Sequence, residues 1–465
     1  MRTPPIFLTV LVAASLAVAA PSPVKVPKGV LVEGLECLSD PTQTYTLYLP
    51  TAYTTETRWP VLLVLDPRGR SLLAAEIFRE AAEQWGWVIL SSNDTRSDGL
   101  ASPNLKALNA LWPELHNRYA SDARRVYAAG MSGGGHFAYM LGKQTGELAG
   151  VIVSGSRLLP DQLEDTTFAL FAAAGDRDFN YQQMREVDRF VAEQGNPHRF
   201  EVFSGLHAWM PAELAADAVA WMELVAMARD LRAPDEAIVS RLYASDLTAA
   251  DDLEASGQLL DAVRRLEMMA RTYHGLADTA EVEQSMSRLT AMPRFKKARK
   301  QERKWRSFEA RTRRRFAEVY ARLRREDEPM TTTEVRLALD VPGLKRRASA
   351  DGMEGVTARR LLSTLYVETS YYLTASLIED QRWEAAAAAL TVATEVCDDR
   401  ETTWPTWYNL ACVHARSRHR RDALHALQRA VDEGFSDADH LRSDPDLESL
   451  HDMDEFKAIV ASLES

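Results

Sequence analysis

A serine that attacks a carbonyl carbon needs an uncrowded oxygen, a base to take its proton and a carboxylate to hold that base in place. Ser132 stands in Tyr127-Ala128-Ala129-Gly130-Met131-Ser132-Gly133-Gly134-Gly135-His136, an apolar strand run, a glycine-flanked turn and then a helix start. The glycines have a steric job: they let the chain turn sharply enough to hold the serine strained with nothing against its oxygen. A purely structural glycine turn is the plain alternative. Histidine is the usual base because its pKa lies near neutrality, and His116, His136, His198 and His207 all lie in this half of the chain. His207 sits in the loop directly after the last strand run, from which a base reaches back over the serine. His198 sits at the far end of that strand, His136 on the helix after the serine, and His116 at the end of an earlier helix. Asp176 and Asp178, in Phe171-Ala172-Ala173-Ala174-Gly175-Asp176-Arg177-Asp178-Phe179-Asn180-Tyr181, are the candidate carboxylates.

Gly130-Met131-Ser132-Gly133-Gly134 resembles the nucleophile elbow of the α/β-hydrolase superfamily, G-x-S-x-G between a strand and a helix. With Gly175-Asp176-Arg177-Asp178 and Gly205-Leu206-His207-Ala208-Trp209, the likeness covers roughly residues 40 to 230. It is to small bacterial esterases of the feruloyl-esterase, polyhydroxybutyrate-depolymerase and phospholipase/carboxylesterase type. The resemblance implies the chain order serine, acid, histidine, with His207 as base. Related esterases carry G-x-x-D in the acid loop, which implies Asp178, with Asp176 as the alternative.

The family's oxyanion hole implies two backbone donors: the Gly133 N–H, and one from the loop Leu65-Asp66-Pro67-Arg68-Gly69-Arg70. Relatives have His-Gly where this chain has Asp66-Pro67, and proline has no N–H to give, so the second expected donor is the Arg68 N–H. Trp209, Met210 and Tyr181 are expected to line an apolar substrate rim, with ordinary packing as the plainer reading. Arg68 and Arg70 would favour an anionic acyl or phosphate-bearing ester. No metal or organic cofactor is implied. The expected activity is hydrolysis of a small-molecule or polymer carboxylic ester through an acyl-enzyme on Ser132. Two alternatives stand beside it: a hydrolase fold kept as a non-catalytic scaffold or binding protein, and a serine peptidase. No long insertion interrupts the pattern between Gly150 and Phe168, where many lipases and peptidases add a lid, so an open site is expected.

Positioning these residues requires a mostly parallel sheet covered by helices on both faces. Strand runs occur at Tyr45 to Leu49, Val61 to Asp66, Trp87 to Ser91, Val126 to Ala129, Gly150 to Val153, Phe168 to Ala173 and Phe200 to Phe203, with helical stretches near 72–85, 103–119, 135–145, 182–194 and 212–228. Runs such as Val61-Leu62-Leu63-Val64-Leu65 are continuously apolar, as parallel strands buried on both faces are. The expected hydrolase domain is 30–230.

The 465-residue chain is long enough for more than one folding unit. Beyond residue 232 strand runs vanish and apolar positions recur with the helical period. A helical region over 232–326 contains a strongly basic stretch from Phe295 to Arg325, with Trp305, Phe308, Phe316 and Val319 near helical spacing. It reads as a solvated helix face first, and otherwise as a contact for an anionic surface or a protein. Residues 327–355, with Pro329, Pro342, Gly343 and Gly352, are expected to be a linker. Over 356–465 a weak repeat resembles tetratricopeptide units. One copy runs through Trp407, Leu410, Ala411, Ala423, Leu427 and Ala430, an earlier one through Leu373, Trp383, Ala386, Leu390 and Ala393, and a fainter one through Gly257, Ala262 and Leu266. Such arrays usually offer a groove to a peptide or protein partner.

Arg2 and the apolar run Ile6 to Ala20, with an A-x-A site at Ala17 to Ala19, resemble a signal peptide over residues 1–19, implying a periplasmic or secreted protein. No later run of about 18 apolar residues appears, so no membrane span is expected in the mature chain. Three cysteines, Cys37, Cys397 and Cys412, exclude a disulfide-stapled scaffold; buried thiols are expected, with a Cys397–Cys412 bridge as the alternative. A net charge of -12 argues against nucleic acid as a partner.

Overall fold

The structure, a computed structural model, describes residues 26–97, 102–158, 166–327, 329–397 and 400–464. The leader expected over residues 1–19 lies outside the described residues. The chain divides into two compact units, Met1–Arg299 and Lys300–Ser465.

The first unit is built on eight strands: β1 (Leu31–Glu36), β2 (Thr44–Tyr48), β3 (Trp59–Leu65), β4 (Val88–Ser92), β5 (Ser121–Met131), β6 (Leu148–Ser154), β7 (Ala169–Gly175) and β8 (His198–Phe203). They form one sheet in the order β1-β2-β4-β3-β5-β6-β7-β8. β1 and β2 join antiparallel, and from β4 to β8 every pairing is parallel. Side chains alternate between faces, so each apolar run feeds two cores. Val61, Leu63 and Leu65 meet Ala128, Val151 and Val153 on one face; Leu62 and Val64 meet Ala129, Ile152 and Phe171 on the other. Helices α2 (Ser102–Asn117), α3 (Gly133–Thr145) and α4 (Tyr181–Glu193) cover the first face, and α1 (Ser71–Trp85) and α5 (Ala212–Ala228) the second. The expected mostly parallel sheet with helices on both faces is therefore the fold of this unit. Strand β1, which has no continuous apolar run, was not legible in the sequence.

The unit does not end near residue 230. Helices α6 (Glu236–Ala255), α7 (Leu259–Thr272) and α8 (Ala280–Ala291) follow, and Leu259, Ala262, Leu266, Met269 and Val282 belong to the same apolar cluster as Phe171 and Trp221. The Trp221 indole N–H donates to Thr272 Oγ1 at 2.9 Å. The boundary between units falls inside α9 (Pro293–Leu323), the single long helix formed by the basic stretch.

The second unit is helical throughout its described residues: the rest of α9, then α10 (Thr332–Ala338), α11 (Val341–Ala348), α12 (Gly352–Val367), a π-helical turn (Glu368–Tyr372), α13 (Leu373–Glu379), α14 (Trp383–Val396), α15 (Arg400–Arg416), α16 (Arg420–Asp432), α17 (Ala438–Ser443), a 3-10 turn (Pro445–Leu450) and α18 (Asp454–Ser462). The linker expected over 327–355 is corrected by α10 and α11. Thr331 and Glu334 form a reciprocal capping box, which starts α10, and Pro342 sits in the first turn of α11, where a missing N–H costs nothing. Val335, Leu339, Val341 and Leu344 are all buried in the unit's core. The apolar seam of α9, Phe316, Val319, Tyr320 and Leu323, packs into the same core. The buried Glu309 carboxylate receives the Arg360 guanidinium at 2.9 and 2.7 Å. Helices α14, α15 and α16 contribute buried small residues to this unit, Ala386, Ala393, Ala411, Ala423 and Ala430. None of the three cysteines forms a disulfide, so no Cys397–Cys412 bridge forms. No described helix is long and apolar enough to cross a membrane.

Candidate active site

In an open parallel sheet, ligands meet the chain at the carboxyl ends of the strands, where loops converge. Five such ends lie side by side here: Leu65 pairs with Gly130, Met131 with Ser154, Ser154 with Ala173 and Gly175 with Phe203. Ser132, the Ser154–Ser156 turn, Asp178 and His207 follow directly from β5, β6, β7 and β8.

Ser132 lies between β5 and α3 with φ 51° and ψ -121°, a conformation that costs a non-glycine residue of order 1–3 kcal/mol. Surrounding bonds hold it there. Its N–H donates to Ser154 O at 2.9 Å, its carbonyl accepts the His136 N–H at 3.1 Å, and the buried Ser156 hydroxyl donates to the same carbonyl at 2.9 Å. The flanking glycines are there for close approach. A Cβ on Gly134 would fall 2.0 Å from Leu65 O, and one on Gly130 2.3 Å from Gly134 backbone atoms. Side chains at either place would push α3 off the sheet and open the turn. Gly133 opens α3, so its N–H is outside the helix's own ladder and points where an anion would sit.

Asp178 is fully buried and His207 Nδ1 lies 3.0 Å from each of its carboxylate oxygens. The Asn180 N–H donates to Asp178 Oδ1 at 2.7 Å, and the Asn180 side-chain amide donates to Gly155 O at 2.8 Å. Gly155 is the hinge of the arrangement. It has φ +56°, and a Cβ there would stand 2.5 Å from Asp178 Oδ2 and 3.0 Å from His207 Nδ1. Only a bare backbone passes between the serine turn and the acid–histidine pair. The Phe179 ring lies 4.3 Å from the His207 ring, centroid to centroid. Asp176 does a different job: it accepts the Gly205 N–H at 3.0 Å and ties the acid loop to the histidine loop. Sequence reasoning missed Gly155, Ser156, Phe179 and Asn180. The Ser154-Gly155-Ser156 triplet at the end of an apolar strand was the available signal.

The loop after β3 departs from expectation. The Arg68 N–H, expected as the second oxyanion donor, is engaged at 2.8 Å by Asp66 Oδ1. Asp66 is fully buried and also accepts the Arg70 N–H at 3.2 Å, Arg70 Nε at 3.1 Å, Arg70 Nη2 at 3.0 Å and the Trp209 indole N–H at 2.8 Å. Burial pushes its carboxyl up, but the bonds from Arg70, Trp209 and the two backbone N–H groups outweigh that and hold it below the usual carboxylate range. Arg70 is therefore committed to Asp66, whereas the exposed Arg68 side chain makes no hydrogen bond or ion pair among the described residues.

The expected rim is corrected. Met210 and Trp209 belong to the core on the α1/α5 face, and Trp209 stands edge-on to Phe78 at 6.0 Å. Tyr181 opens α4, packs edge-on to Phe200 at 6.2 Å and accepts a bond from Arg185 Nη1 at 3.2 Å. Trp209 contributes by its indole N–H, which fixes the segment carrying His207 to the β3 loop. Of the other histidines, His198 opens β8 at the opposite end of the sheet and His116 faces Glu147 at 3.7 Å. Burial holds the pKa of both, and of His136, below the ordinary histidine value.

No family model and no curated protein matches this sequence. Solved structures do match it, over part of the chain. A ferulic acid esterase is similar with 16% identity over 42% of this chain and 97% of its own, at a TM-score of 0.34. The S-formylglutathione hydrolase FrmB of Staphylococcus aureus aligns with 14% identity over 42% and 97%, at a TM-score of 0.34, and Est1E of Butyrivibrio proteoclasticus with 13% identity over 40% and 95%, also at 0.34.

Proposed function

We propose that the first unit is a serine hydrolase that cleaves carboxylic esters through an acyl-enzyme on Ser132. The observation that carries this reading is the approach of His207 Nδ1 to both oxygens of the buried Asp178, on the same row of strand ends as a left-handed Ser132. With Nδ1–H facing the carboxylate, Nε2 is the unprotonated nitrogen, as a general base must be. His207 takes the Ser132 proton as Oγ bonds to the ester carbon. The resulting oxyanion faces the Gly133 N–H and the start of α3. The tetrahedral adduct collapses, the ester C–O bond breaks, and His207 gives its proton to the departing alcohol. Water then attacks the acyl-serine by the same path and releases the acid. Arg68 supplies a free guanidinium beside this loop and favours esters with an anionic acyl group.

The finer readings extend this one. The leader-like sequence of residues 1–19 supports export from the cytoplasm, and the buried small residues of α14, α15 and α16 support a tetratricopeptide-like array with a groove for a peptide or protein partner. A second reading, a hydrolase fold kept as a binding scaffold, is favoured by one observation: the Arg68 N–H is occupied by Asp66. A fluorophosphonate probe separates the two. Covalent labelling of the protein and none of Ser132→Ala supports the enzyme, and an ester panel of graded acyl length then gives its substrate range. Absence of Ser132-dependent labelling leaves the scaffold.

A further inference from the structure

At the opposite end of the strands of the same sheet lies a second concentration of charge. A recess of about 410 Å³ opens beside Trp59 at the start of β3 and Gly86 before β4. The seven residues of β3 put it about 20 Å from the Ser132 edge. Four arginines line it, Arg58, Arg125, Arg232 and Arg241, and no lining residue is acidic. Behind them the buried Glu223 carboxylate takes one bond each from Arg125, Arg232 and the Trp87 indole N–H. Four cations against one carboxylate leave three positive charges unmatched (4 - 1 = 3), in a chain whose net charge is -12.

The guanidinium groups are held ready. Arg232 and Arg241 each lie over the Trp85 ring at 5.8 Å, Arg232 also giving one N–H to Glu223. Arg58 and Arg241 meet no carboxylate among the described residues, and Arg125 Nε is buried without a partner. Gathering like charges around a concave surface is unfavourable unless an anion is the natural occupant. Arginine forks match the paired oxygens of phosphate and carboxylate groups, and the volume suits a small molecule rather than a polymer. We propose that this recess is a binding site for a compact multivalent anion bearing phosphate or carboxylate groups, separate from the ester site.

Isothermal titration of the full chain with inorganic pyrophosphate, with citrate and with uncharged sucrose tests this. Arg58→Ser/Arg241→Ser is the informative variant, because neither residue supports Glu223, and an unchanged melting temperature without anion verifies its fold. One site per chain is expected for at least one of the anions and none for sucrose. The variant should weaken it about tenfold or more, and high salt should weaken it too. Preference for pyrophosphate or for citrate assigns the oxyanion. Ser132→Ala should bind as the parent does, so the result is independent of the ester hydrolase reading. No heat and no thermal stabilisation with either anion, or equal affinity in the double variant, overturns the proposal.

Discussion

Replacing Asp66 by asparagine probes the bond that joins the β3 loop to the segment carrying His207. The carboxylate serves five donors. An asparagine of equal size offers one carbonyl oxygen and turns two donors of its own toward them. The buried Trp209 N–H then loses its acceptor, which costs about 1–3 kcal/mol. Arg70 is 42% exposed on its side chain, so water replaces most of its bond and its loss adds only about 0–1 kcal/mol. The sum, about 1–4 kcal/mol, lowers the melting temperature of a unit this size by about 2–8 °C.

Scanning calorimetry on Asp66→Asn, Trp209→Phe and the double variant isolates the shared bond. Trp209→Phe keeps an aromatic ring against Phe78 and by itself costs about 1 kcal/mol. The double variant should cost less than the two singles together, by about 1 kcal/mol. The pH dependence has a definite sign. The folded carboxyl is held below its usual range, so its contribution is complete above the unfolded value of about 3.9 and is lost as pH falls through the folded value. The gap in melting temperature between parent and Asp66→Asn should thus stay constant from neutral pH to about pH 5 and close in stronger acid. Single-variant effects that add to within about 0.5 kcal/mol, or a gap that widens on acidification, would refute this account of the loop.

Gly155→Ala should lower ester hydrolysis about a hundredfold and also lower the melting temperature, because its φ of +56° strains any residue with a Cβ. Its Cβ would press on Asp178 Oδ2 and His207 Nδ1, and misplacement of about 1 Å costs roughly a hundredfold in kcat; activity within a few fold of the parent would count against the pair's role. Asp178→Asn should lower kcat by about three to four orders of magnitude by holding His207 in the wrong tautomer. Asp176→Asn, which keeps an acceptor for the Gly205 N–H, should cost less than about tenfold, and the reverse ranking would exchange the two assignments.

The sheet was legible because its strands are buried on both faces, which turns the alternation of side chains into unbroken apolar runs such as Val61 to Leu65. That signal fails at β1, whose residues are all half-buried or exposed. It also fails to mark where the first unit ends, since Leu259, Ala262 and Leu266 show the same helical period whether they pack on the sheet or on further helices. Proline and glycine misled the reading of 327–355. Each reads locally as punctuation, whereas Pro342 initiates a helix and Thr331 with Glu334 caps one.

The site shows the same division between local and distant causes. Ser132 and its glycines could be singled out from sequence because their work is steric and is done by neighbours within a few positions. Asp66 could not be. Read locally, Asp66-Pro67 is a damaged donor loop. In the fold, Asp66 lies 143 positions before Trp209 in the chain and bonds to it, so the carboxylate acts as a clamp on the loop that carries the base. The same bond moves Trp209 from the expected rim into the core. The exposed arginine on that loop, Arg68, then gains weight as the source of any anion preference, because Arg70 is committed to Asp66. An Arg68→Ser variant should therefore lose discrimination for a succinyl over an acetyl ester, through KM rather than kcat, while Arg70→Ser should lose stability. A loss of discrimination that follows Arg70 instead would return the anion preference to the residue the clamp occupies.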